Sequence, residues 1–168
     1  VAVAEPEGTI FKKDGLEFEK LLKLKSQKQP ITKYPGAQIL PLAGVYELGV
    51  DILIPAAISD VINQKNYRKV KAKVIVEGAN ISIPEDIEDK LWRQGKIIVP
   101  DFVANGGGVI SSFAEYSGQT SAFMFQLVQK KIEKATREVL LASRKRKRNP
   151  RSVALVLAKD RVRKTVRQ

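Results

Sequence analysis

Three short runs rich in β-branched residues recur along the chain: Val50-Asp-Ile-Leu-Ile54, Ala72-Lys-Val-Ile-Val76 and Lys96-Ile-Ile-Val99. Each ends on a breaker: Pro55, then Glu77-Gly78, then Pro100-Asp101. Segments of helical or turn character separate them. Short apolar runs bounded in this way read as strands buried on both faces, and their alternation with helices is the pattern of a parallel sheet. The segment before the third run is the clearest helix. It has Pro84 at its first position, Glu85, Asp86, Glu88 and Asp89 near the positive pole of its dipole, and Gly95 where a C-cap glycine belongs.

The flanks are less regular. Val1–Ala4 is a short β-compatible run ended by Glu5-Pro-Glu-Gly8, and Asp14-Gly15 marks a further turn. Leu16, Phe18, Leu21, Leu22 and Leu24 among Lys and Glu predict an amphipathic helix, and Leu42–Leu48 a short one stopped by Gly49. Ser59 or Asp60 is a candidate cap for a helix running to Asn66. Beyond Gly106 no strand pattern returns. The chain reads there as helices broken near Gly118 and at Arg148-Asn149-Pro150, the last carrying Val153, Val156, Leu157 and Val162 on one face. The expectation is an α/β sheet over residues 1–109 followed by a helical segment over 110–168.

Composition removes whole classes of chemistry. With no Cys, disulfide scaffolds, thiolate metal sites and thiol nucleophiles are excluded; with no His, so are the Ser–His triad and the commonest metal ligand. No apolar run approaches the roughly 18–20 residues of a membrane span, and no secretory signal pattern opens the chain, so an intracellular, cytoplasmic domain is expected. The net charge of +12 is concentrated: residues 130–168 hold 15 of the 30 basic residues and only Glu133, Glu138 and Asp160 as acids. The densest run, Arg144–Arg148, offers two readings. One is a phosphate-binding or acid-binding patch; the other is a solvated helix end where cations suit the negative pole. No aromatic residue interleaves the run for base stacking, which argues against nucleic acid.

Ligands of open parallel sheets bind at the carboxyl ends of the strands. The residues there are Glu5-Pro6-Glu7-Gly8, Pro55-Ala56-Ala57, Glu77-Gly78-Ala79-Asn80 and Asp101 to Gly108. Ala56, Ala57, Gly78 and Ala79 would let a ligand lie against backbone, and Asn80 and Asn105 offer uncharged amides. Glu5 stands where the second strand of a dinucleotide fold presents an acid to ribose hydroxyls. Taken singly, Gly and Asn here are ordinary turn formers. The only glycine cluster, Gly106-Gly-Gly108, follows the last strand rather than the first, so it is not a phosphate-binding fingerprint.

Val50-Asp-Ile-Leu-Ile-Pro-Ala-Ala57, Lys71-Ala-Lys-Val-Ile-Val-Glu-Gly-Ala-Asn80, Val99-Pro-Asp101 and Ala104-Asn-Gly-Gly-Gly-Val109 together resemble the cofactor-binding half of glutamate dehydrogenases, a family that also contains leucine, phenylalanine and valine dehydrogenases. The resemblance implies a Rossmann-like, doubly wound fold lacking its first β–α unit, with Val1–Gly8 as the second strand and its turn. It implies oxidative deamination of L-glutamate to 2-oxoglutarate and ammonia, with hydride passed to NAD or NADP, in a homo-hexamer. Carried over, Glu5 and Pro6 lie at the adenosine ribose, Ala56 and Ala57 line the cofactor groove, Gly78 and Asn80 meet the nicotinamide side, and Asn105 holds the nicotinamide ribose or carboxamide. Ser112 falls where glutamate-specific members place a serine toward the substrate carboxylate. The family's catalytic lysine and aspartate belong to a separate N-terminal domain, so no catalytic residue is assigned here and the chain alone is expected to be inactive. The chain departs from the family at Tyr116-Ser-Gly-Gln119, which replaces an aromatic-rich stretch, and at the basic run. Glu5 with Glu7 beside it repels a 2′-phosphate and favours NAD, though Lys12 and Lys13 lie near enough in sequence to offset it. The competing expectation is a non-catalytic binding module whose basic C-terminal segment contacts nucleic acid or another acidic partner.

Overall fold

The computed structural model describes residues 1–166 and divides them into two compact units. The first comprises Val1–Val50 with Lys69–Lys71, the second Asp51–Arg68 with Ala72 onward.

In the first unit, β1 (Ala2–Glu5), β2 (Gly8–Phe11) and β3 (Gln38–Leu40) form an antiparallel sheet in that order. Val1–Ala4 is therefore a strand, as expected, but in a hairpin rather than in the parallel sheet. The Pro6-Glu7 turn reverses the chain and Gly8, at φ +142°, returns it directly as β2, with Glu5 paired to Gly8. Ile10, Ile31 and Tyr34 form the core, covered by Val3, Leu16, Leu21, Leu24 and Ala37. Leu21 and Leu24 come from α1 (Phe18–Ser26), the amphipathic helix expected from the leucine spacing. Leu42–Glu47 is helical but of the tighter 3₁₀ kind.

The second unit holds the parallel sheet. β4 (Ile52–Leu53), β5 (Val74–Val76) and β6 (Ile97–Val99) pair parallel in sequence order. The β5–β6 crossover contains α2 (Glu85–Arg93), closed by Gly95 at φ +86°. Ile75, Ile83, Ile87, Leu91 and Ile98 are buried within it. Directly after β6 come the single turn α3 (Asp101–Ala104), α4 (Gly107–Tyr116), the long α5 (Ser121–Arg146) and α6 (Pro150–Val166). Val99, Val103, Val139 and Ala154 make their shared core. None of the described helices is long and apolar enough to cross a membrane.

Two local expectations are corrected. No helix forms over Ser59–Asn66: Asp60 turns left-handed at φ +55°, and the Asn63 amide N–H donates to Asn66 Oδ1 at 2.7 Å while Asn66 Nδ2 donates to the Val61 carbonyl. Asparagine side chains have here taken the bonds that a helix would need. In α6 the buried face is Val153 and Ala154, with Leu157 half-buried, whereas Val162 is exposed.

Candidate functional site: the carboxyl end of the parallel sheet

The loops leaving β4, β5 and β6 meet. The Gly78 and Ala79 amides both donate to the Pro55 carbonyl at 3.0 Å. A Cβ on Gly78 would stand 3.0 Å from the Ala56 Cβ, tighter than most real contacts, so the close approach of these two loops favours glycine. Asn105, at the C-terminal end of α3, donates from Nδ2 to Asn80 Oδ1 at 2.7 Å, with the Gly78 carbonyl at 3.4 Å. Ala56, Gly78, Asn80 and Asn105 are thus brought together where the three loops meet, a junction lined by backbone and two amides and largely open to solvent. Ala57 is exposed beside it in sequence. Ser112 is exposed on α4, its hydroxyl donating back to the Gly108 carbonyl at 3.0 Å.

The glycine cluster has a packing role. A Cβ on Gly107 would come within 3.3 Å of Val128, and one on Gly106 within 3.6 Å of Ile132, so the start of α4 lies close on α5. In the first unit, Glu5 accepts from Lys25 Nζ at 2.8 and 2.9 Å through its two oxygens, and Pro6 is exposed in the hairpin turn. Lys25 on α1, rather than Lys12 or Lys13, is the cation at this acid.

Behind the cleft lies a buried charge cluster. The Arg151 guanidinium, at the start of α6, reaches Glu77 Oε1 through Nη2 at 2.9 Å, Asp101 Oδ1 through Nη1 at 3.0 Å and Glu88 Oε2 through Nε. It also lies 5.5 Å from the Phe102 ring centroid. Three carboxylates from the end of β5, from α2 and from α3 share one cation, and Glu77 and Glu88 are completely buried. Their protonation follows from this imbalance. Burial pushes Glu88 up to about 7, against the pull of Arg151. Burial raises Glu77 as well. Burial works on Asp101 in the same sense, but the Ile81 and Phe102 amides and Arg151 overcome it and hold its carboxyl below the ordinary value. Glu88 Oε1 has no hydrogen-bond partner, and Asp101 Oδ1 faces Nη1 off the hydrogen-bonding direction.

The same carboxylates shape the cleft. Glu77 Oε2 accepts from the Ser82 hydroxyl at 2.7 Å and from the Ile83 amide at 3.0 Å; Asp101 Oδ2 accepts from the Ile81 amide at 2.8 Å. Between them Ile81 is held at φ +49°, a left-handed conformation that β-branched residues avoid.

The family model of the Glutamate/Leucine/Phenylalanine/Valine dehydrogenases matches residues 1–168. The chain belongs to that family. It is 33 % identical to the glutamate dehydrogenase of Thermotoga maritima and 34 % to the NADP-specific glutamate dehydrogenase of Saccharolobus shibatae, in each case over 96 % of this chain and 40 % of the relative. The chain thus spans about two fifths of these dehydrogenases. Among solved structures, hetero-hexameric glutamate dehydrogenase from Thermus thermophilus in its leucine-bound form superposes with a TM-score of 0.78 over 96 % of this chain and 39 % of that one, at 24 % identity. A lysine-to-leucine mutant of a glutamate dehydrogenase gives 0.80 over 98 % and 41 %, at 19 % identity. These likenesses show that the dehydrogenase-family chain has the Rossmann-like α/β fold.

Sequence reasoning gathered Glu77 and Asp101 only as members of strand-end segments, and passed over Arg151 as one cation among fifteen. The available signal was helical phase. Arg151 precedes the buried Ala154 by three positions, which turns it toward the core side of α6.

Proposed function

We propose that the chain is the nicotinamide-dinucleotide-binding portion of a cytoplasmic amino-acid dehydrogenase acting on L-glutamate. The observation that carries this reading is the convergence of two amides and bare backbone at the carboxyl ends of three parallel strands. The residues present fit such a cofactor. Gly78 packed on Ala56 leaves a surface without side chains for a flat ring, and the Asn80–Asn105 pair supplies the donor and acceptor that a carboxamide needs. A nicotinamide held there would supply the hydride acceptor for oxidation of the amino acid which, with water, gives 2-oxoglutarate and ammonia. The second unit's own part is to bind and orient, with Ala56, Ala57 and Gly78 along the cofactor and Asn80 and Asn105 at the nicotinamide side; for Glu5 and Pro6 of the first unit, the family resemblance supports a role at the adenosine ribose. We assign residues 1–109 to the nucleotide and residues 110–168 to a helical segment whose Ser112 faces the substrate carboxylate. NAD is favoured over NADP because Glu5 accepts ribose hydroxyls and disfavours a 2′-phosphate, with Lys25 moderating the preference. The hetero-hexameric state of the Thermus thermophilus glutamate dehydrogenase supports oligomeric assembly of the whole enzyme.

Titration calorimetry of the purified chain with NAD and NADP tests the reading. Tighter binding of NAD is expected, with Asn105→Ala weakening it roughly five- to tenfold, the effect of about 1 kcal/mol of lost hydrogen bonding. Binding of neither nucleotide would refute the cleft assignment. In the intact enzyme, Ser112→Ala should impair turnover of glutamate far more than of an apolar amino acid. Equal losses on both substrates would remove Ser112 from the substrate.

A further inference from the structure

Arg151 lies outside the cleft, yet it touches two of the carboxylates that shape the loop running from Gly78 to Ser82. Glu77 uses one oxygen for Arg151 and the other for Ser82 and Ile83; Asp101 uses one for Arg151 and the other for Ile81. Each carboxylate is therefore a two-sided link, with the guanidinium on one side and the loop backbone on the other. The loop needs such links. Ile81 adopts a left-handed backbone that its own side chain opposes, and it is held there by Asp101 and by its carbonyl accepting from the Asp60 amide at 2.9 Å. Asn80, immediately before it, carries one of the two amides of the cleft.

The guanidinium suits this task where an ammonium would not. Its planar fork presents Nη1, Nη2 and Nε to three acids from three different elements at once. Carboxylates sharing one buried site favour the ionised form only where a cation compensates them, and an ionised carboxylate is the better acceptor for a backbone N–H.

We propose that Arg151 is a positioning residue for the cofactor cleft: through Glu77 and Asp101 it holds the loop from Gly78 to Ser82 in the conformation that presents Asn80 to the nicotinamide. This rests on the cofactor reading of the cleft, but the loop can be followed independently of any cofactor.

The test compares two substitutions on the same helix. Arg151→Lys keeps the charge and removes the fork. Val153→Ala, at a site 2 % exposed, removes packing without touching a carboxylate. For each, thermal unfolding, calorimetric binding of NADH and hydrogen exchange of the Ile81 and Ile83 amides are measured. Arg151→Lys is expected to weaken NADH binding at least fivefold and to speed exchange at both amides more than tenfold. Val153→Ala, at comparable loss of melting temperature, should leave both close to wild type. If the two variants shift binding and exchange together, Arg151 is only a stability residue and the proposal fails. It fails also if Arg151→Lys binds NADH as the wild type does. If Arg151→Lys does not fold, Asp101→Asn carries the same comparison, with the Ile81 amide as the expected site of faster exchange. A wild-type chain that binds no nicotinamide nucleotide overturns the cofactor reading instead; exchange at Ile81 and Ile83 then still separates a loop held by Arg151 from one that is not.

Discussion

Ile81 shows what the cleft demands of a single position. A β-branched residue at φ +49° costs on the order of 1 kcal/mol relative to one that tolerates the left-handed region. The residue is 56 % exposed, so little burial offsets this. Ile81→Asn should therefore raise stability by about 1 kcal/mol, seen as a higher melting temperature; a lower one would mean that the isoleucine packs usefully after all. The neighbouring positions illustrate what can be read from sequence. The meeting of Ala56, Gly78, Asn80 and Asn105 was legible because the first three lie in the loops after β4 and β5 and Asn105 lies one helical turn beyond β6, and the ends of parallel strands converge by topology. Arg151 was not, since its value depends on acids far away in the chain that happen to share one pocket. Glu5 was legible as an acid at a turn, but its pairing with Lys25 depends on where α1 falls.

Helix ends decide how firmly the C-terminal elements are set. α5 begins at Thr120, whose Oγ1 accepts from the Phe123 amide, and closes at Lys147 in the left-handed conformation at φ +50°. Glycine is the residue for that closing position. Lys147→Gly should stabilise the protein by about 0.5–1 kcal/mol by chemical denaturation, with no change at the carboxyl end of the parallel sheet. A loss of stability would show that the Lys147 side chain contributes more than its backbone costs. The basic run Arg144–Arg148 lies at this same junction and is exposed. The strands β5 and β6 and the helix α2 were legible because period, breakers and charge at the helix start agree. β2 was missed because Gly8-Thr-Ile-Phe11 is short and its meaning lies in pairing with β1. The helix expected after Ser59 failed because Asn63 and Asn66 satisfy the backbone in another way.

Three acids around one guanidinium make the stability of the whole protein depend on pH in an unusual sense. The Glu88 carboxyl titrates at about 7 in the folded chain against 4.5 as the ordinary value, so the folded state binds its proton more tightly than the unfolded state. That contribution is complete below about pH 4.5 and is lost as pH rises through 7; Glu77 acts in the same direction. Asp101 acts oppositely, its contribution disappearing as pH falls below the ordinary aspartate range. Urea unfolding should therefore show stability declining from pH 5 to pH 8 by on the order of 2 kcal/mol, and Glu88→Gln should flatten that decline. A wild-type curve that is flat or rising over this range would show Glu88 ionised throughout. The same cluster also orders events in time. Arg151 follows Glu77 by 74 positions and Glu88 by 63. During synthesis the acids leave the ribosome long before their cation, and must stay hydrated until it arrives. The ion cluster at the sheet's carboxyl end is complete only once α6 has docked. The loop that Glu77 and Asp101 hold thus gains its full set of links late in folding.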